Sequence, residues 1–429
     1  MDLRATISTY CLFSIIWIGL TNSKDFASFS IIYFILFFLF LIDLINKPLV
    51  YTFRPSSIIL LFTSINFSLG NYAFYKKFFL LNHISKFENI FKFDHLKIAN
   101  QYFIVTLLLV YLLNYKNILT PLNSKLQLGR KSLILPYFII LLGFNFINID
   151  SNIIEILKVG LVLTLILNIS TIEKNRVRTL LYFLAICLFS ITAFDDKRHI
   201  LLALLAIILV EINFNQLFKL KDIIKIGIGS FGLVLLLSLL TIFRGYDGFE
   251  LVNDWMNLPN YIKLFYANSN LLAYILHISE SYTTYFHSVQ VVEYVLDSSN
   301  YLYGSTIFKA FLVPFPSEFI EKPWSIIDQY TYNLYPAFRR VKGALAPNAL
   351  GEFFFNFGFI GSILFSFLTF IFDFIYQCLF KNKILSNISF WFIIFILTFI
   401  RGSGLDMYLA YVFTCQLFTL INVSIIKKY

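Results

Sequence analysis

The chain has 429 residues, of which 59% are hydrophobic, 14% are charged and 52 are phenylalanine. Apolar runs of membrane-spanning length recur from end to end, so the composition excludes a soluble globular domain and predicts an all-α, polytopic membrane helix bundle. The formal net charge of +10 would point to nucleic acid in a soluble chain; here it reads as basic loops against anionic lipid, and no nucleic-acid partner is expected.

The first apolar run, near 6–22, follows Arg4 and lacks a small-x-small cleavage site before Thr21. It therefore reads as a retained span rather than a signal peptide. Further spans are expected near 27–45, 56–75, 98–114, 132–148, 153–170, 178–194, 199–212, 223–243, 350–378, 386–400 and 403–426, about twelve in all. Backbone polar groups find no partner in lipid, so these spans should be helices. The eighth is short, and the third and tenth are long enough to tilt or break. Between the ninth and tenth lies one large external loop, 244–349, with six of the ten prolines. It separates an N-terminal bundle, 1–243, from C-terminal helices, 350–429. The cysteines, Cys11, Cys187, Cys378 and Cys415, sit inside apolar segments at spacings that suit no metal, and neither metal nor cofactor is expected.

The basic residues orient the bundle. With the N-terminus cytoplasmic, the inside segments hold 17 of the 34 Lys and Arg, whereas the short outside loops hold only Lys24, Lys197, Arg198 and Arg401. Both termini inside is the better arrangement. The segment 76–97 runs against it with five lysines, and its alternation of charged with Phe and Leu residues reads as an amphipathic stretch on the outer surface.

Three arginines close or open spans on the external face: Arg198 after span 7, Arg244 after span 9 and Arg401 after span 11. Each alone could snorkel to the headgroups or pair locally, Arg198 with Asp195 or Asp196 and Arg401 with Asp406. Together they run against the positive-inside trend and fit an anion, because guanidinium forks match phosphate oxygens and keep their charge at any physiological pH. Arg339-Arg340-Val341-Lys342, followed by small residues, Pro347 and a new helix, adds a basic strand feeding a helix N-terminus. A juxtamembrane patch on anionic lipid would have the same composition. Glu352 suits the first turn of that helix. The loop also holds His287, and its many tyrosines could sit at the membrane interface.

The order Tyr301-Leu302-Tyr303-Gly304, Pro314-Phe315-Pro316, Lys322-Pro323, then Pro347-Asn348-Ala349-Leu350-Gly351-Glu352-Phe353-Phe354-Phe355-Asn356-Phe357-Gly358 resembles the O-antigen and capsular polysaccharide polymerases of the Wzy type. Arg340 and Gly351 enclose ten residues, similar to an Arg-x10-Gly spacing in some members. The motif likeness covers about sixty residues, and Gly304, Lys322, Pro323, Pro347, Gly351, Asn356 and Gly358 carry it. Ser317-Glu318 stands where members often have a basic residue. Asp195-Asp196-Lys197-Arg198-His199 keeps an arginine but loses a glycine.

The resemblance implies a membrane glycosyltransferase at the outer face of the bacterial cytoplasmic membrane. Its substrate would be an undecaprenyl-diphosphate-linked oligosaccharide, passed to the nonreducing end of a newly flipped repeat unit. Arg198, Arg244, Arg339, Arg340 and Arg401 would hold the departing diphosphate without a metal, and Glu352 or His287 would take the acceptor proton. Membrane lipids, a chain-length regulator and a flippase are the implied neighbours. An O-antigen ligase, which transfers polymer to lipid A core, is the nearest alternative. A flippase or other transporter would be expected to have mid-span charges and halves of similar length instead of this loop.

Overall fold

The computed structural model describes residues 3–21, 24–76, 91–114, 131–145, 152–192, 197–212, 216–224, 281–315, 319–340, 345–381 and 386–426. The ninth expected span, Arg244 and most of the 76–97 stretch lie outside them.

Among the described residues there is no strand, and helices account for almost everything. Before the large loop they are α1 (Leu3–Leu20), α2 (Phe26–Leu44), α3 (Leu49–Thr52), α4 (Pro55–Lys76), α5 (Phe93–Asn114), α6 (Ile134–Asn145), α7 (Asn152–Ile169), α8 (Arg176–Thr192) and α9 (Lys197–Glu211). Then follow α10 (Ser281–Ser298), α11 (Ser305–Leu312), α12 (Ile326–Leu334), α13 (Pro336–Arg340), α14 (Ala349–Phe357), α15 (Gly361–Lys381), α16 (Ser386–Thr398) and α17 (Gly404–Ile426). Six stretches are long and apolar enough to cross a membrane: Leu3–Leu20, Phe26–Leu44, Pro55–Lys76, Phe93–Asn114, Ala349–Cys378 and Trp391–Phe418. The chain is thus an all-helical, multi-pass membrane protein. The expected dozen spans is not reached among the described residues, where the other apolar helices, such as Ile134–Gly143 and Leu202–Glu211, are shorter.

The tenth expected span breaks into α14 and α15. Gly358 sits between them at φ +58°, and a Cβ there would come within 2.9 Å of the Tyr301 ring, so a side chain would meet both an unfavourable backbone and a filled space. The chain turns again between α16 and α17 at Gly402, φ +114°, where a Cβ would lie 2.1 Å from the Pro347 carbonyl oxygen. That close approach holds the α16–α17 turn against the segment entering α14.

α4 packs against α2 and α10, and α5 packs against α1 and α15. α17 lies against α7, α11 and α16. Several buried polar groups inside this bundle are paired across helices, which lowers the cost of holding them in a low-dielectric interior. Tyr33 Oη donates to Asn100 Oδ1 at 3.1 Å, and Asn100 Nδ2 donates to Tyr285 Oη at 2.9 Å, joining α2, α5 and α10. At the other end of α4, Asp373 of α15 accepts from the backbone N–H of Ser56 at 2.9 Å and from its hydroxyl. Arg54 lies 3.9 Å from the same carboxylate and donates to Ser57 Oγ and the Asn114 carbonyl. The carboxylate therefore caps the helix and neutralises a buried cation at once.

The 244–349 stretch is not a featureless loop where it is described. α10 carries Tyr285, Phe286, Val289, Val292 and Val295 on its buried face and inserts between α4 and α5. Phe286 meets Phe74 and Phe91, and Tyr285 meets Phe67. This helix positions the candidate site.

Candidate functional site

The N-terminus of α14 forms the centre of the site. Asn348 caps it, its Oδ1 accepting from the Gly351 N–H at 2.8 Å, while the Asn348 N–H donates to Ser288 Oγ at 3.1 Å. Gly351 lets this turn press on α10, since a Cβ there would be 3.2 Å from Ser288 Cα. The element Pro347–Glu352 is thereby fixed to the helix that carries His287.

His287 is buried, and its Nδ1 lies 2.7 Å from Tyr330 Oη. Tyr330 Oη in turn donates to Gln290 Oε1 at 2.8 Å, and Tyr335 Oη donates to the same oxygen. The Tyr330 hydroxyl thus bridges the His287 ring and the Gln290 side chain, joining α10 to α12. Burial raises the Tyr330 phenol well above its ordinary value and pushes Tyr335 up to about 12, so both remain neutral donors.

Glu352 is 1% exposed. Its Oε1 accepts from Thr306 Oγ1 at 2.8 Å, and Asn356, one turn on, donates to both Thr306 Oγ1 and the Glu352 carbonyl at 2.8 Å. Glu352 Oε2 and Asn356 Oδ1 have no hydrogen-bond partner among the described residues. Asp406, in the first turn of α17, pairs with Lys309 of α11 at 3.1 Å, and its charge also acts on Glu352. A carboxylate with one oxygen held and one uncommitted can receive a proton or a hydroxyl donor.

The structure brings some of the expected basic residues to this end of the bundle. Arg401 occupies the turn before Gly402, beside Pro347 and α12. Arg339 ends α13, where it pairs with Asp328, and Arg340 next to it is exposed. Arg198 lies in the first turn of α9, with its side chain outside the described set, and Arg244 is outside altogether. Gly304 caps α11 at φ +83°, Lys322 and Pro323 lead into the Ser325 cap of α12, and Asn356 and Gly358 close α14.

Sequence reasoning missed Thr306, Lys309, Ser288, Gln290 and the pairing of Tyr330 with His287. Local pairing of Arg401 with Asp406 was the alternative to an anion site, and the carboxylate engages Lys309. The helical spacing of Thr306, Lys309 and Ala310 was a usable signal for one inward face of α11.

His95, Glu293 and Asp297 place ligand atoms within 4.8 Å of one another at the C-terminal end of α10. The Lys92 ammonium, however, occupies Asp297, and its backbone N–H donates to Glu293 at 2.8 Å. The acids thus already have a cation.

No family model, curated protein or solved structure matches the chain.

Proposed function

We propose that the chain is a Wzy-type polymerase that joins undecaprenyl-diphosphate-linked oligosaccharide repeat units into O-antigen or capsular polysaccharide. It would work at the outer face of the bacterial cytoplasmic membrane with both termini cytoplasmic. The observation that carries this reading is the Pro347–Gly358 element. Its cap is tied to the His287 helix on one side, the Pro347 segment entering it touches the Arg401 turn on another, and its Glu352 has a carboxylate oxygen uncommitted.

In this reading the acceptor sugar hydroxyl gives its proton to Glu352 Oε2 while its oxygen bonds the anomeric carbon of the growing chain. The bond from that carbon to the diphosphate breaks, and undecaprenyl diphosphate leaves with the electron pair. Arg339, Arg340 and Arg401, with Arg198 and Arg244, stabilise the charge on the leaving diphosphate. His287 holds α10 and α12 in register with the Asn348 cap. Glu352 is enclosed, so the acceptor enters by parting α11 from α14. A chain-length regulator and a flippase are the partners this activity implies.

The test is the surface-polysaccharide ladder of a strain lacking the protein, complemented with the native chain or with Arg340→Ala. Lipid A core bearing a single repeat, corrected by the native chain only, supports the reading. Polymer retained on the lipid carrier beside bare lipid A core would mean a ligase, and an unchanged ladder would mean neither.

A further inference from the structure

The helix α11 has two unlike faces. Thr306 and Ala310 are buried on the side that packs on α14 and α17, and Lys309 turns inward to Asp406. On the opposite side Phe308 and Phe311, three residues apart, are 58% and 63% exposed. Tyr303 before the helix and Phe319 beyond it are 82% and 81% exposed, with Phe315 between. An aromatic ridge of this density is not the scattered exposure of a water-facing surface.

Two contacts fix its depth. The Leu302 N–H donates to the Phe355 carbonyl at 3.0 Å, and the Tyr301 ring lies against Gly358. Gly358 is the point at which α14 gives way to the 21-residue apolar helix α15. The exposed Phe359 and Ile360 just before that helix and Ile363 and Phe367 within it form a band that faces lipid in a spanning helix. The ridge leaves the fold at the level where this band begins. Between Tyr303 and Phe311 the one charged residue, Lys309, is directed inward.

We propose that α11 and its flanking aromatics form an interfacial anchor, seated in the outer headgroup and upper acyl region of the bilayer, and that the occupant of the ridge is lipid. Aromatic side chains concentrate at such boundaries, and short amphipathic helices settle there with their apolar face down. α11 carries Thr306 and Lys309, so the anchor ties the hydrogen-bond partner of Glu352 and the ion-pair partner of Asp406 to the membrane surface. Tyr301 and Gly304 touch Gly358 and Phe357, where the lipid-facing band begins, and this adjacency favours lipid over a second protein. The inference stands independently of the polymerase reading.

Benzoylphenylalanine is introduced into the full-length chain at Phe311, at Ile363 on the lipid face of α15, and at Lys174 in the polar turn between α7 and α8. After irradiation in native membranes, the expected result is a phospholipid mass added to the peptides carrying positions 311 and 363 and absent from that carrying 174. A second label at Phe308 should behave as 311 does. A crosslink from 311 to another copy or another protein would overturn the anchor. So would an unmodified 311 peptide beside a modified 363 peptide, or equal adducts at 311 and 174.

Discussion

Thr306 Oγ1 donates to Glu352 Oε1 across 46 residues of sequence, at 2.8 Å, and so ties α11 to the first turn of α14. The same hydroxyl accepts from Asn356 Nδ2, so one threonine satisfies a carboxylate and orders a carboxamide inside an enclosed site. Held at one oxygen, Glu352 has the other without a hydrogen-bond partner among the described residues.

Thr306→Val should therefore be more damaging than its size suggests. It removes the hydroxyl while keeping the shape, and leaves Glu352 Oε1 and Asn356 Nδ2 each short of a partner, at a cost of about 1–3 kcal/mol. Thr306→Ser should retain most of that stability. Thermal unfolding in detergent compares the two, and equal midpoints would show that the bond contributes little.

The ion pair at the other end of α4 should behave as a buried pair. Asp373→Ala leaves Arg54 buried without its carboxylate and strips the cap from Ser56, and the expected loss is about 3–5 kcal/mol. The double variant Arg54→Met, Asp373→Leu should recover much of it, because neither charge is then stranded. If the double variant is as unstable as the single, the helix cap rather than the charge is the important term.

Gly402→Ala should separate the Arg401 turn from Pro347. Its Cβ would collide with the Pro347 carbonyl at 2.1 Å in a backbone conformation that L-residues avoid, for a loss on the order of 2–4 kcal/mol. Gly143→Ala, with open space around its Cβ, is the matched control. Equal protease resistance of the two variants would contradict the close approach.

The acids at the C-terminal end of α10 should respond to pH in opposite senses. The hydrogen bond from Lys92 holds the Asp297 carboxyl below its ordinary value. Its contribution is present above the unfolded pKa and is lost as pH falls through the folded one. Burial raises Glu293, so its contribution is present below the unfolded pKa and is lost as pH rises through the folded one. Asp297→Asn should flatten the acid limb of the unfolding midpoint, and Glu293→Gln should raise the neutral limb. An unchanged acid limb in Asp297→Asn would remove the Lys92 pairing from the account.

The membrane helices were legible because uninterrupted apolar runs such as Phe26–Leu44 leave no other reading. The break in the tenth span was partly legible, because Gly358 and Gly361 bracket two residues between apolar runs. α10 was not read as a bundle helix. Its buried Tyr285, Val289 and Val292 recur at helical spacing, but the intervening Ser, Thr, His and Gln lower the hydropathy to that of a loop. The site was half legible. Pro347–Glu352 and the arginines carry local patterns, whereas Thr306 meets Glu352, Tyr330 meets His287 and Lys309 meets Asp406 only through tertiary packing across long sequence separations.

The most direct measurement is chain growth by the purified protein in liposomes supplied only with undecaprenyl-diphosphate-linked repeat units. The native chain should build a ladder of lipid-linked polymer and release one undecaprenyl diphosphate per repeat joined. Glu352→Gln should remain folded, with its bond to Thr306 retained, yet extend nothing. No polymer from a folded native chain, or a full ladder from Glu352→Gln, would contradict the account.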